Sequence, residues 1–203
     1  MPGNKIVTKE EIENLKKIPG NVKGAVILAD LEYVRRKGGM EAQGKIQRRL
    51  KELGFNISLK EIKPMSFYPE YLSVTVILLA KEVLHLDDDG IFEMGKTAPK
   101  LSIFIKLLTK FFASVERCFK ETPKYWAKHF DFGEIETVEF NPKKKYAIIR
   151  VRGYKFHPIM CVYHKGYFLE IAQLALGKRP VKIAEIRCMF KGDPYHEYKI
   201  SWE

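Results

Sequence analysis

What this chain lacks narrows its chemistry. It has only three cysteines, Cys118, Cys161 and Cys188, too few and too scattered for a disulfide framework. Its start, Met-Pro-Gly-Asn-Lys, carries no apolar signal segment, which leads us to expect a reducing cytoplasm. No apolar run suits a membrane span. The longest, residues 72–80, is broken by Ser73 and Thr75 and has about half the length a bilayer requires. No Gly-x-Ser-x-Gly, phosphate-binding loop or dinucleotide fingerprint occurs, and His85, His129, His157 and His164 are dispersed. We therefore expect no catalytic residues and no enzyme. Asp87-Asp88-Asp89-Gly90 fails as a calcium loop, because Ile91 falls at the fifth ligand position; it reads instead as the cap of a following helix.

What is present describes a packed globule. The chain is 46% hydrophobic and 12% aromatic, which excludes disorder. Its net charge of +11 raises nucleic acid as a partner. That charge is spread in short groups such as Arg35-Arg36-Lys37 and Lys143-Lys144-Lys145, beside glutamates or in turns. No nucleic-acid motif accompanies it, so we expect a solvated surface, and any DNA binding to be weak, sequence-independent and steeply salt-dependent.

Thr8 and Glu11 form a capping box for a short helix closed by Pro19-Gly20, an arm over residues 1–20 ahead of one ligand-binding domain over 21–203. An apolar segment, residues 22–29, leads to a break at Gly38-Gly39, after which residues 40–53 read as a helix stopped by Gly54. Pro69 starts another helix to about Leu86, and residues 101–119 carry the widest apolar stripe before Pro123 stops it. Tyr125-Trp126 then begins an aromatic connection to Gly133. Such a wide stripe either packs as ordinary core or lines a cavity, and Phe111 and Trp126 are the residues we expect on a ligand-binding wall. The period next changes to two. Residues 135–140 and 146–151 form a hairpin, His157-Pro158 opens a helix to about Leu176, and a last hairpin follows. The order, helices first and then β-β-α-β-β, predicts an α+β domain: a four-stranded antiparallel sheet with helices packed mainly on one face.

The last hairpin holds residues whose chemistry packing alone does not explain. With a loop over 190–194, Cys188 opposes His196, Arg187 opposes Glu197, Ile186 opposes Tyr198 and Glu185 opposes Lys199. Opposed Cβ atoms lie roughly 5 Å apart, close enough for a cysteine sulfur and a histidine nitrogen to share one tetrahedral metal. Cys161 is the candidate to complete the site. The alternative is a buried cysteine beside a tyrosine-rich hairpin, with His196 merely hydrogen-bonded. His164, three residues after Cys161 on the same helical face, is either a replacement ligand or a surface histidine.

The order Cys161-x-x-x-x-Gly166-Tyr167, then Glu185-x-x-Cys188, then Gly192-Asp193-Pro194-Tyr195-His196 resembles the 4-vinyl-reductase-type domain, of the superfamily that includes haem-nitric-oxide-binding and vesicle-tethering proteins. The resemblance covers roughly the last 70 residues with specific motifs. It implies a structural zinc (Zn2+) on Cys161, Glu185, Cys188 and His196, where His196 replaces a cysteine. Glu185 lies on the wrong face of a regular strand, and only a bulge would bring it in. The function implied is a non-enzymatic sensory domain for a hydrophobic or aromatic small molecule, often a homodimer, with output through an unidentified protein partner. Two alternatives remain open: an assembly or adaptor module of the vesicle-tethering kind, and a tetrapyrrole vinyl reductase component. Haem sensing is a further possibility in the superfamily, but the Tyr-x-Ser-x-Arg haem-contact motif is absent.

Overall fold

The protein is described from a computed structural model over residues 7–101 and 115–203. The stripe expected over 101–119, Phe111 included, therefore lies largely outside the described residues.

The helical layer follows its caps and apolar faces. In α1 (Lys9–Lys16) the Thr8 hydroxyl accepts the Glu11 N–H at 3.2 Å, and Ile12 and Leu15 are buried. Short strands β1 (Asn21–Lys23) and β2 (Phe67–Pro69) pair antiparallel at the entrance to the layer. Between them runs α2 (Gly24–Glu52), two helical stretches that meet at a kink, so the break expected at Gly38-Gly39 is present. Gly39 holds φ 70°, ψ −170°, a conformation only glycine takes without strain. Helix α3 (Glu70–Leu84) starts after Pro69, and residues 72–80 are all buried, as expected of a helix that is apolar on every side. Asp87 does cap α4 (Asp88–Leu101), its Oδ1 accepting the Gly90 N–H at 2.8 Å.

Two further helices, α5 (Val115–Lys120) and α6 (Thr122–His129), correct the expected aromatic connection. Pro123 does not end structure here. It lies in the first turn of α6, where its missing N–H has no intrahelical partner to lose.

Strands β3 (Glu134–Asn141), β4 (Tyr146–Arg152), β5 (Val181–Arg187) and β6 (His196–Trp202) form the antiparallel sheet in the order β3-β4-β6-β5, with α7 (Ile159–Leu176) between the two hairpins. The α+β expectation holds. Ile135, Ala147, Ile149, Val151, Tyr198 and Ile200 turn one face to the core. Toward the other, Arg152 pairs with Glu136 at 2.9 Å and Arg150 with Glu197 at 2.6 Å.

Helices α4 and α7 cross at glycines. A Cβ on Gly95 would sit 2.1 Å from the Tyr163 carbonyl oxygen, and one on Gly166 would sit 2.0 Å from that of Phe92. No helix among the described residues is long and apolar enough to cross a membrane.

Candidate functional site

A cavity of about 90 Å³ lies among α3, α6 and α7. Spacing explains its walls. Glu70, Ser73 and Ile77 fall on one face of α3, Tyr163, His164 and Tyr167 on one face of α7, and α6 adds Trp126 and His129. The Trp126 ring stacks on Phe130 at 4.3 Å, and its indole N–H donates to the Phe132 carbonyl at 2.9 Å, so its one polar atom is satisfied by the backbone.

Two carboxyls are buried at and behind this wall. Glu70 is 1% exposed and accepts a hydrogen bond from the Tyr154 hydroxyl at Oε1, while Oε2 finds no partner among the described residues. Asp30, on α2, is fully buried; Tyr163 donates to its Oδ1 at 2.7 Å, and Oδ2 is likewise unpartnered. Burial pushes Asp30 up to about 7 against the pull of the Tyr163 bond. Burial also pushes Glu70 up to about 8; the Tyr154 bond opposes this and the neighbouring Asp30 adds to it. Both carry substantial proton occupancy near neutral pH.

Neither Ser73 nor His164 forms a side-chain hydrogen bond to a described residue, though both line the cavity. His164 is 5% exposed and lies edge-on to Tyr154 at 4.7 Å, which corrects the surface reading; burial brings it down to about 3, so its imidazole is neutral. Asp30 and Glu70 went unnoticed in the sequence. The available signal was an acid set inside or beside an apolar run, Val26-Ile27-Leu28-Ala29-Asp30-Leu31 and Glu70-Tyr71-Leu72, where an unpaired charge is expensive to bury.

A second constellation lies at the hairpin. One ligand-type atom from each of Cys161, Glu185, Cys188 and His196 falls within 4.8 Å of every other. The Cys161 and Cys188 sulfurs are 3.5 Å apart, and His196 Nδ1 is 3.9 Å from the first and 3.3 Å from Glu185 Oε1. His196 Nε2 lies 3.0 Å from the Tyr154 carbonyl, which can only accept, so the proton belongs on Nε2 and the lone pair on Nδ1 faces the cluster.

The hairpin register differs from expectation in one consequential place. Arg187 pairs with Glu197, but a bulge at Ile186 then puts Glu185 opposite Tyr198 and Ala184 opposite Lys199. The bulge leaves Ile186 47% exposed and swings Glu185 toward the cysteines. Burial raises the Cys161 thiol, and Glu185 and Cys188 add to the rise, which holds the sulfur in its protonated, unreactive form.

No family model matches the chain, and no curated protein matches it significantly. Solved structures do. An H-NOX protein from S. oneidensis in the Fe(II)NO ligation state aligns with a TM-score of 0.68 at 13% identity, covering 89% of this chain and 99% of that one. The NMR structure of an H-NOX domain from Shewanella oneidensis in the Fe(II)CO state gives 0.64 at 14% identity, covering 89% and 98%. A point mutant of the T. Tengcongensis H-NOX gives 0.63 at 12%, covering 89% and 97%. These neighbours overturn the expected 4-vinyl-reductase-type assignment, and the structural zinc cofactor it implied falls with it, since the relatives are Fe(II) proteins. The hydrophobic- or aromatic-ligand function falls too: the cavity of about 90 Å³ is smaller than the roughly 150 Å³ that admits benzene. Neither a vesicle-tethering module nor a vinyl reductase appears among these matches. At these identities the likeness establishes one thing, that the chain has the fold of H-NOX domains.

Proposed function

We propose that this chain is a sensory domain that takes a gas-sized molecule into its central cavity and signals through a protein partner. The observation that carries this reading is the cavity of about 90 Å³ between helices and sheet, with three side chains at its wall, Glu70, Ser73 and His164, short of hydrogen-bond partners among the described residues. The fold shared with the Fe(II)NO and Fe(II)CO proteins supports it. Sensing requires no bond to be made or broken, so the domain is read as non-enzymatic. The cytoplasm suits this role, and a second copy of the chain is one form its partner can take.

The fold family implies haem, and the residues present do not fit it. His164 offers an unpartnered neutral imidazole, the right kind of axial donor. The cavity, however, is far below the roughly 300–1,000 Å³ of drug-sized ligand sites. Among the described residues no Lys or Arg lines it to neutralise the haem carboxylates, and Glu70 would oppose them. We therefore place the sensed molecule directly in the cavity. The check is a titration of the purified full chain with haemin, nitric oxide, carbon monoxide, ammonium and phenol, followed by absorption and tryptophan fluorescence. A saturable response to a gas-sized molecule, with no Soret band and no response to phenol, is expected. A stoichiometric Soret band, or silence toward every small molecule, would sink the reading. Trp126→Ala should lower stability by at most about 3 kcal/mol, the low end for losing a packed aromatic, and should open the cavity to phenol.

We also propose that Cys161, Glu185, Cys188 and His196 ligate one transition-metal ion. The support is chemical. Two thiols, a carboxylate and an imidazole nitrogen converge, and the far imidazole nitrogen is held by a backbone carbonyl in the manner of metal-bound histidines. Cobalt(II), used as the probe, should give thiolate-to-metal absorption at one equivalent, and Cys188→Ala should abolish it. Equal absorption from the variant would remove the assignment.

A further inference from the structure

We propose that the molecule the cavity takes is a small protonated amine, ammonium or methylammonium, with Glu70 as its counter-ion and Ser73 and His164 as further acceptors. The inference rests on the sensory reading above and names its ligand class. The polar groups at the wall are matched to a donor. Among the described residues neither Glu70 Oε2 nor the Ser73 hydroxyl has a partner, and the neutral His164 ring keeps one lone pair. An ammonium nitrogen carries only N–H donors, as lysine does. A neutral diatomic would leave most of these groups unsatisfied, at the desolvation penalty of each, and an anion would meet Glu70.

The rest of the wall suits a cation. Trp126, Phe130, Tyr154, Tyr167 and Phe168 line the space, and the Trp126 and Tyr154 rings stand 5.9 Å apart at 74°. Aromatic faces attract ammonium ions, most strongly where water is excluded. Among the described residues no Lys or Arg competes for the site. Size sets the upper limit: at about 90 Å³ the cavity takes a few non-hydrogen atoms, since a water's share of liquid volume is roughly 30 Å³.

Binding is coupled to one proton. Glu70 begins as a carboxylic acid, releases its proton to solvent and pairs as the carboxylate with the ammonium nitrogen. The titratable groups around it are Asp30 from α2, Tyr154 before α7, Tyr163, His164 and Tyr167 on α7, and Cys118, Tyr125 and His129 across the cavity. Burial raises Tyr154, Tyr163 and Tyr167, takes Cys118 up to about 12 and lowers both histidines, so none of these supplies a charge near neutrality. Asp30, up at about 7, is the only other carboxyl in the set and stays bonded to Tyr163. With Glu70 at about 8, amine affinity should rise about tenfold per pH unit below that value.

The test is calorimetric titration of the full chain with ammonium chloride and methylammonium chloride, in phosphate and in HEPES, at about pH 6.5 and 7.5. Potassium chloride serves as a cation without donors and tetramethylammonium chloride as one too large. Saturable binding is expected, about tenfold tighter at the higher pH, with close to one proton released per ligand and with potassium at least tenfold weaker. Glu70→Gln should abolish the binding; its melting curve reports whether it is folded, and if it is not, Ser73→Ala, expected to weaken affinity several-fold, takes its place. Failure of ammonium to bind the wild type, binding without proton release, or equal binding by folded Glu70→Gln would overturn the proposal. Nitric oxide or carbon monoxide binding where ammonium does not would remove the amine and leave the sensory reading standing. If nothing enters the cavity, both fall.

Discussion

Raising the pH from about 4 to about 8 should destabilise the fold, and Asp30 and Glu70 should account for most of the slope. Their ordinary values of 3.8 and 4.5 rise to about 7 and about 8 in the folded chain. Between those limits the folded state holds protons that the unfolded state has released, so stability falls as pH rises. The contribution is complete below about pH 4 and is lost by the time Glu70 ionises. Each pH unit is worth about 1.4 kcal/mol per carboxyl, so each is expected to remove on the order of 4 kcal/mol across the window. Urea unfolding of the wild type and of Asp30→Asn/Glu70→Gln at a series of pH values isolates the effect. Surface pairs such as Glu32 with Arg35 and Arg36 act in both proteins and cancel in the difference. Parallel pH profiles for the two proteins would show that the buried acids do not titrate in this window.

A methyl group at the α4–α7 crossing should be almost as damaging. Gly95→Ala would place a Cβ 2.1 Å from the Tyr163 carbonyl oxygen, and Gly166→Ala would place one 2.0 Å from that of Phe92. The obstacle is backbone, which cannot rotate away as a side-chain tip can. Overpacking normally costs about 1–3 kcal/mol, and each variant is expected at or above the top of that range. Gly44→Ala is the control: it lies in α2 with open space around it and should gain about 0.5–1 kcal/mol from helix propensity. Guanidinium midpoints of the three variants make the comparison. If Gly166→Ala matches Gly44→Ala, the helices do not touch there in solution.

The sheet was legible in the sequence because its period of two is local and one face is buried: Ala147, Ile149 and Val151 alternate without a break along β4, and β3 follows from Ile135 as far as a bulge between Thr137 and Glu139. The hairpin register was legible only as far as Arg187 and Glu197. Past that point alternation assigns Glu185 and Ile186 to the wrong faces, because a bulge is chosen by three-dimensional partners and leaves no mark on composition. Tyr125-Trp126 was misread for a related reason, since a proline at the start of a helix and one at its end look alike until the chain around it is placed. The four hairpin residues could be grouped by motif order, and the structure brings them together. The cavity acids could not be grouped at all. Asp30 and Glu70 stand 40 positions apart on different helices, and Tyr163 and Tyr154 reach them from a third direction.

Helix α7 meets α4 at Gly166, backbone against backbone, and carries Cys161 less than two turns to one side of that point. A rod seated so closely over a single turn, from Tyr163 against Gly95 to Gly166 against Phe92, can rock there, but it cannot slide along its neighbour without lifting off. Tyr163, His164 and Tyr167, which line the cavity, straddle this fulcrum. A molecule that wedges the cavity open by even a fraction of an ångström would therefore tilt α7 instead of translating it. Its two ends would swing in opposite senses: the Cys161 end across the β5–β6 hairpin, and the Leu176 end at the opposite extremity of the helix.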